Sequence, residues 1–111
     1  MQLMRYQIIE TIQAREDIKS IITYILETYG SKVGALNFLR EYDKSVQSIE
    51  RFPFAFRISG RKYRNIDIQI KHLRKYSIVY LVDEEKSHIV ILRVLSMKMD
   101  RDNAMSKLNV F

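Results

Sequence analysis

The sequence predicts an α+β domain in which a two-helix hairpin packs on a small, mainly antiparallel sheet, in the order β-α-α-β-β-β. Three stretches within residues 66–95 have the pattern of consecutive strands joined by short turns. Two amphipathic helical stretches come before them, and their apolar stripes require a sheet face on which to pack. Residues 1–111 are expected to form a single domain, with residues 98–111 as its C-terminal tail.

The first half of the chain predicts a short strand and then the helical hairpin. Residues 5–10 form the strand, and Thr11 is expected to cap the helix that follows, because its hydroxyl can accept a first-turn backbone N–H. Gly30 is expected to end this helix in the left-handed conformation, and Ser31 to cap the second helix. Pro53 ends the second helix, since proline has no backbone N–H and disfavours helix in the residue before it.

The apolar stripes of the two helices predict which faces are buried. The stripe of the first helix consists of Ile18, Ile21, Ile22, Ile25 and Tyr29, and that of the second of Val33, Leu36, Leu39, Tyr42, Val46 and Ile49. Glu16 and Asp17 lie early in the first helix, where negative charge favours the positive end of its dipole. The predicted contact between hairpin and sheet comprises Ile21, Ile25, Leu36, Leu39, Ile49, Ile68, Val79, Ile91 and Val94.

The second half of the chain predicts a basic loop and then three strands. The loop follows Ser59 and Gly60, and an alternation of isoleucine with polar residues from Ile66 to Ile70 indicates a half-buried strand. Residues 76–82 are apolar at successive positions, as expected of a central strand that is buried on both faces. A charged turn leads into the last strand, residues 88–95.

The composition excludes several functional classes. The chain has no cysteine, which excludes disulfides, thiolate metal sites and cysteine nucleophiles. No apolar run reaches the roughly 18 residues that cross a bilayer, and no cleavable signal is visible, so a cytoplasmic protein that does not bind membranes is expected. The sequence contains no phosphate-binding glycine loop, zinc-ligand spacing or serine-nucleophile motif. We therefore expect no cofactor and no metal.

The positive charge of the chain is concentrated in one segment. The formal net charge is +6, and residues 57–75 hold seven basic residues against a single acid, Asp67. The seven, called here the basic cluster, are Arg57, Arg61, Lys62, Arg64, Lys71, Arg74 and Lys75. Such an excess predicts a surface that binds nucleic acid or an acidic partner. The alternative is a strand edge that Lys and Arg protect against aggregation.

Three further observations concern single residues. Arg93 interrupts an apolar strand, and a charge there requires a partner or an open cleft, which makes it a functional candidate. His72 lies within the basic segment and could act as an acid or base, although a lone surface histidine usually has no such role. Tyr63, Tyr76 and Tyr80 could stack on bases, although aromatic side chains in strands belong to the core more often.

The order and spacing of these elements resemble the RelE/ParE superfamily of bacterial type II toxins, from Tyr6 to about Asp100. The matching segments are Tyr6-Gln7-Ile8-Ile9, then Ala14, Asp17-Ile18, Ile21 and Tyr24-Ile25 in the first helix, and Phe38, Ile49 and Phe52-Pro53 in and after the second. In the sheet they are Tyr63-Arg64-Asn65-Ile66, Tyr76-Ser77-Ile78-Val79-Tyr80 and Ile89-Val90-Ile91-Leu92-Arg93-Val94. The resemblance implies a RelE/ParE-like fold and a small basic toxin that a cognate acidic antitoxin neutralises.

Within this family the resemblance leaves three functions open. The length and the long hairpin favour the ParE branch, whose members arrest growth by poisoning DNA gyrase. A RelE-like toxin would instead cleave mRNA on the ribosome, and Lys71, Arg74, Arg93 and Lys98 would then hold phosphate. RNA-cleaving members often have an arginine where this chain has Ser77, and a histidine near Ser96 or Met97, which weakens that assignment. The third function is a degenerate toxin that retains only antitoxin binding.

The same resemblance defines the expected binding surface and partners. The target-binding residues would be the basic cluster together with Arg93. The partners would be the antitoxin and either DNA gyrase or the ribosome with its mRNA, in a homodimer or a toxin–antitoxin hetero-oligomer. Plasmid stabilisation would be the biological role.

Overall fold

A two-helix layer lies on one face of a five-stranded sheet in residues 5–96, the part of the chain that the computed structural model describes. The elements are β1 (Gln7–Glu10), α1 (Ile12–Tyr29), α2 (Lys32–Arg51), β2 (Arg57–Tyr63), β3 (Ile66–Leu73), β4 (Tyr76–Asp83) and β5 (His88–Ser96). None of the helices in this range has the length and apolar character needed to cross a membrane. Lys98 and the predicted tail, residues 98–111, lie outside the described residues.

The sheet has the order β1-β5-β4-β3-β2, and every pair of neighbouring strands is antiparallel except β1 and β5. The predicted fold class is confirmed, with one strand more than the sequence indicated. The additional strand, β2, covers the residues that lead into the predicted basic loop and the first residues of that loop, and it pairs with β3 through a shift in register between Ile58 and Lys62. The residues Ser59, Gly60 and Arg61 have weak strand propensity, so this strand depends on pairing with β3 rather than on a local pattern.

The predicted helix ends are confirmed. The Thr11 hydroxyl accepts the backbone N–H of Ala14 at 3.0 Å, and the Ser31 hydroxyl accepts that of Gly34 at 2.8 Å. Gly30 ends α1 with a φ of 58°, a left-handed conformation that glycine adopts without a side-chain clash. Short-range residue preferences therefore set the boundaries of the hairpin.

The buried faces of the helices differ from the predicted stripes. Ile21 and Ile25 are buried in α1 as expected, but Tyr29 is 63% exposed. In α2 the predicted Tyr42 and Ile49 are buried and the predicted Leu39 and Val46 are partly buried, but the predicted Val33 and Leu36 are exposed. Ala35, Phe38 and Ser45 are also buried and were not part of the predicted stripe. The buried side of α2 thus includes the small residues Ala35 and Ser45, whereas the larger Leu36 next to Ala35 faces solvent.

The sheet has an apolar cluster on each face. The helix-side cluster joins the hairpin to strand residues that include Ile78, Tyr80, Ile91 and Val94. The other cluster, called here the far-face cluster, consists of Ile68, Ile70, Val79, Leu81, Leu92 and Leu95. The prediction that Ile68 and Val79 meet the helices is therefore wrong. Successive residues of a strand point to opposite faces, and where both faces are apolar the sequence does not identify the one that the helices cover.

Candidate functional site

The basic cluster follows one edge of the sheet. β2 is the edge strand and contains Arg57, Arg61 and Lys62, while the remaining four residues lie on β3 and in the turns at its two ends. All seven side chains are exposed except that of Lys71, which is half-buried. The cluster therefore forms a positive margin along β2 and β3, and it also protects an open strand edge.

Several of these cations have partners within the protein. The Arg74 Nε atom lies 2.7 Å from a carboxylate oxygen of Glu41 on α2, and Lys62 lies 3.9 Å from Asp67. The Lys71 ammonium lies 4.8 Å from the centre of the Phe56 ring and donates a hydrogen bond to the His72 carbonyl at 3.3 Å. Three of the seven cations therefore contact groups of the protein itself.

The remaining cations are more available to a partner. The Arg64 guanidinium lies 5.1 Å from the centre of the adjacent Tyr63 ring. Within residues 5–96, Arg57, Arg61 and Lys75 have no ion pair. The side chains best placed to meet a partner are therefore those of Arg57 and Arg61 on the edge strand and of Lys75 in the β3–β4 turn.

Arg93 is held by an ion pair with Asp17 of α1. The Arg93 Nε and Nη2 atoms donate to the two Asp17 carboxylate oxygens at 2.7 and 2.8 Å, and both side chains are largely buried. The hydrogen bond to Asp17 raises the pKa of Arg93, against the opposing effect of burial. Two of the guanidinium nitrogens are thus occupied inside the protein.

Asp17 also closes the open edge of β5. The pairing of β1 with β5 ends at Glu10 and Ile91, and beyond it α1 satisfies the exposed backbone of β5. The Thr11 hydroxyl donates to the Leu92 carbonyl at 2.9 Å, and the Val94 N–H donates to Asp17 at 2.9 Å. The sequence predicted only that Asp17 interacts favourably with the helix dipole. It did not predict these contacts with β5, because a local sequence pattern does not relate residues more than 70 positions apart.

A buried polar network holds the segment that leads into β2. Gln69 and Tyr80 are 2% and 0% exposed. The Tyr80 hydroxyl donates to the Pro53 carbonyl at 2.7 Å, and the Gln69 amide donates to the carbonyls of Pro53 and Phe56 at 3.0 and 3.2 Å. Burial raises the pKa of Tyr80. Tyr80 is therefore a core residue rather than a platform for stacking bases.

An apolar cleft of about 530 Å³ lies between α1 and the ends of β4 and β5. Its lining includes Ile21, Ile25 and Val94, with the exposed Tyr24 and Tyr29 at its rim. Tyr76, whose pKa is raised chiefly by burial, and Lys75 of the basic cluster complete it. The cleft therefore connects the exposed apolar end of the hairpin with the positive margin.

A second cleft of about 500 Å³ lies between β2 and the acidic turn before β5. Phe54, Ile58 and Val82 contribute apolar surface, and Asp83 and Glu84 are among its acidic residues. Phe54 and Ile58 are each 57% exposed. In residues 5–96 no group of three or more histidine and carboxylate side chains is arranged to hold a metal ion.

The comparisons with known proteins agree with this geometry. The sequence profile of the family described as the ParE toxin of the type II toxin–antitoxin system parDE matches residues 8–101. A search of curated proteins found no matching sequence.

Solved structures of toxin–antitoxin proteins share the fold. A chain of the chromosomal ParDE system from P. aeruginosa has a TM-score of 0.65 at 15% identity, over 85% of this chain and 98% of that one. The isolated RelE toxin from E. coli has a TM-score of 0.59 at 14% identity, over 96% and 99%. A chain of the RelBE2 toxin–antitoxin complex from Mycobacterium tuberculosis has a TM-score of 0.55 at 21% identity, over 86% and 94%.

Proposed function

Because the chain belongs to the ParE toxin family of type II toxin–antitoxin systems, we propose that it arrests growth in the cytoplasm by inhibiting DNA gyrase. In this proposal a cognate acidic antitoxin neutralises it. The match to the ParE family over residues 8–101 supports this choice of target. The protein would act by binding, and the positive margin would carry much of the recognition.

The internal contacts of the cations are the observation that carries the proposal. An RNA-cleaving toxin needs charged groups that are free to hold phosphate and to stabilise developing charge. Of the candidates for that role within residues 5–96, Arg93 is paired with Asp17, Arg74 with Glu41, and Lys71 contacts Phe56 and the His72 carbonyl. These contacts favour a binding role over catalysis on RNA.

The surface offers two regions to protein partners. Arg57 and Arg61 on the edge strand provide charge, which steers an acidic segment and accelerates association. Tyr29, Val33 and Leu36 expose apolar surface near the turn of the hairpin, as interaction sites commonly do. An acidic antitoxin segment that orders on binding could add a strand to the β2 edge and wrap the domain.

The test compares gyrase with ribosome-bound message as the target. Purified protein should inhibit supercoiling by gyrase and accumulate cleaved DNA, and it should leave message intact in a translating extract. The variant with Arg57→Ala and Arg61→Ala should inhibit gyrase less. A control with Lys19→Ala and Lys44→Ala removes the same charge from exposed positions outside the basic cluster and should inhibit as the unmodified protein does.

Two results would overturn the proposal. Cleavage of ribosome-bound message by the unmodified protein would instead establish a ribosome-dependent endoribonuclease. Absence of both activities in a protein that still binds its antitoxin would establish a degenerate toxin. The antitoxin itself is sought as a small acidic protein encoded beside this gene, and its absence from the neighbouring reading frames would contradict the toxin–antitoxin assignment.

A further inference from the structure

The second cleft, called here the acidic cleft, lies on the helix side of the sheet. Val82 of its lining belongs to the helix-side cluster, and the Gln69 amide donates a hydrogen bond to Tyr80 of the same cluster at 3.2 Å. Among the described residues, 5–96, those that line the cleft belong to strands, to the turns between strands and to the segment before β2, and none belongs to α1 or α2. The hairpin therefore leaves this corner of the sheet uncovered.

The aromatic wall of the acidic cleft is exposed and held in place. Phe54 is more than half exposed, and it lies in the segment between Pro53 and Phe56. The carbonyls of both these neighbours accept hydrogen bonds from the buried Gln69 amide, and that of Pro53 also accepts one from the Tyr80 hydroxyl. The segment is thus anchored on both sides of an exposed ring. Such a ring loses little conformational freedom on binding, and aromatic side chains are common among the residues that dominate interfaces.

The charge of the acidic cleft is opposite to that of the whole chain. Its lining holds four carboxylates and one cation, a net charge of −3, in a protein of net charge +6. The carboxylates are those of Asp67, Asp83, Glu84 and Glu85, and the cation is Arg64. Glu84 and Glu85 are exposed, and neither has an ion pair within residues 5–96. Exposed charges more than about 8 Å apart are largely screened at physiological ionic strength, so a segment in the cleft responds chiefly to these carboxylates.

The combination of apolar surface and negative charge defines the partner. Ligand sites usually have volumes of roughly 300–1,000 Å³, and the volume of this cleft is about 500 Å³. Its carboxylates repel nucleic acid and acidic segments. We propose that the acidic cleft binds a basic segment of a partner protein, in which one large apolar side chain is flanked by lysine or arginine. The apolar side chain contacts Phe54, Ile58 and Val82, and the flanking cations pair with Glu84 and Glu85.

The acidic cleft and Arg57 of the basic cluster lie on different faces of β2. Arg57 is opposite Ile70 of the far-face cluster, and Ile58 is opposite Gln69. Adjacent residues of a strand point to opposite faces, so Arg57 points away from the cleft that Ile58 lines. The protein therefore binds partners of opposite charge at neighbouring sites. This inference does not depend on the identity of the growth target, because the proposed function makes no use of the cleft.

A model peptide tests the proposal. The capped hexapeptide Lys-Lys-Trp-Leu-Lys-Lys has the required chemistry, and its indole reports binding without background because the protein contains no tryptophan. At low ionic strength the indole emission should shift to the blue as the protein is added, and added salt should weaken the binding. In NMR spectra of the labelled protein, the amide signals that move should be those of residues 54–58 and 82–85.

A change of charge at the rim tests the electrostatic part. Glu84→Gln with Glu85→Gln should weaken binding of the lysine peptide several-fold, and the difference from the unmodified protein should narrow as salt is added. The control, Glu16→Gln with Glu27→Gln, removes the same charge from exposed positions on α1 and should bind as the unmodified protein does. Equal affinities of the two double variants would overturn the proposal.

A truncation of the aromatic wall tests the apolar part. Phe54→Ala should weaken binding of the lysine peptide several-fold at any salt concentration. Leu36→Ala shortens another exposed apolar side chain, on α2 outside the cleft, and should have no effect. Equal effects of the two truncations would mean that the peptide does not use the cleft, and would overturn the proposal.

Two further measurements exclude other occupants. The peptide Glu-Glu-Trp-Leu-Glu-Glu should leave the amide signals of residues 82–85 in place. If it moves them as strongly as the lysine peptide does, or if the lysine peptide does not bind, the proposal is wrong. The signals should also stay in place when the protein alone is concentrated. A shift on concentration would mean that a second copy of the chain occupies the cleft, which contradicts the proposal as well.

Discussion

Asp17 links the first helix to the last strand through three hydrogen bonds, two from the Arg93 side chain and one from the Val94 backbone. At the scale of single residues, the structure depends on a few polar groups that are largely buried. Each has its partners in place, and the loss of one partner leaves the other desolvated and unpaired. Asp17, Arg93, Gln69 and Tyr80 are the residues concerned.

Replacing Asp17 should destabilise the protein more than its charge alone suggests. Asp17→Ala leaves a buried guanidinium and a backbone N–H without partners, and should lower the free energy of unfolding by about 2–4 kcal/mol. Urea denaturation measures the change. The double variant Asp17→Leu with Arg93→Met should recover part of the loss, because both charges are then absent. The exposed Glu16→Ala is the control and should have little effect. Equal stability of Asp17→Ala and Glu16→Ala would contradict this role.

Tyr80 should make the protein sensitive to alkaline pH. Burial raises the pKa of its hydroxyl in the folded state, so the folded protein favours the neutral form. The stabilisation is complete below the unfolded pKa of about 10 and is lost as the pH rises above it. Tyr80→Phe should weaken this decline, and should cost about 1–2 kcal/mol at neutral pH through the lost hydrogen bond to Pro53. Unfolding is measured at neutral and alkaline pH, with the exposed Tyr29→Phe as control. An unchanged decline in Tyr80→Phe would refute the assignment.

At the scale of the elements, each helix begins at a hydroxyl cap, but the two caps differ in what else they contact. Ser31 accepts a hydrogen bond from Gly34 at the turn of the hairpin. Thr11 accepts one from Ala14 and also donates to the Leu92 carbonyl of β5. The start of α1 is therefore part of the sheet edge, whereas the start of α2 is local.

This difference predicts unequal costs of removing the caps. Ser31→Ala should lower the free energy of unfolding by about 1 kcal/mol, the usual contribution of a cap. Thr11→Ala should cost about 2 kcal/mol, since it also leaves the Leu92 carbonyl without its donor. Thermal or chemical unfolding of the two variants gives the comparison. A larger loss from Ser31→Ala would mean that Thr11 does not stabilise β5.

The whole molecule combines a positive margin on one edge of the sheet with apolar surface at the turn of the hairpin. The seven cations of the basic cluster and Asp67, the one acid in the same segment, sum to +6, which equals the net charge of the whole chain. Such a distribution steers encounter with polyanions or acidic proteins over a distance set by the ionic strength. It contributes more to the rate of association and to specificity than to the stability of the fold.

Association with an acidic partner should therefore depend on salt. Arg57→Ala with Arg61→Ala should slow the binding of an acidic antitoxin segment at low ionic strength, and the difference from the unmodified protein should narrow as salt is added. Stopped-flow or surface-plasmon measurements at several salt concentrations test this. The variant with Lys19→Ala and Lys44→Ala should bind at nearly the normal rate. A dissociation rate that changes while the association rate does not would refute the steering role.

The sequence alone was sufficient for the local structure and the family. The helix ends at Thr11, Gly30 and Ser31, the alternation that marks β3, and the order of the elements all depend on residues within a few positions of one another. Local preferences act at that range through backbone conformation and nearby hydrogen bonds, so a single sequence is enough to recognise them. The spacing of the elements then carried the resemblance that the ParE family match confirmed.

The tertiary structure alone decided three features. It paired β2 with β3 in a segment of weak strand propensity, it joined Arg93 to Asp17, and it turned Ile68 and Val79 away from the helices. In each case the deciding contact is between elements, and the local sequence is compatible with more than one outcome. Packing selects among these outcomes because it must bury apolar faces and satisfy buried polar groups throughout the domain at once, and that condition is not expressed at any single position.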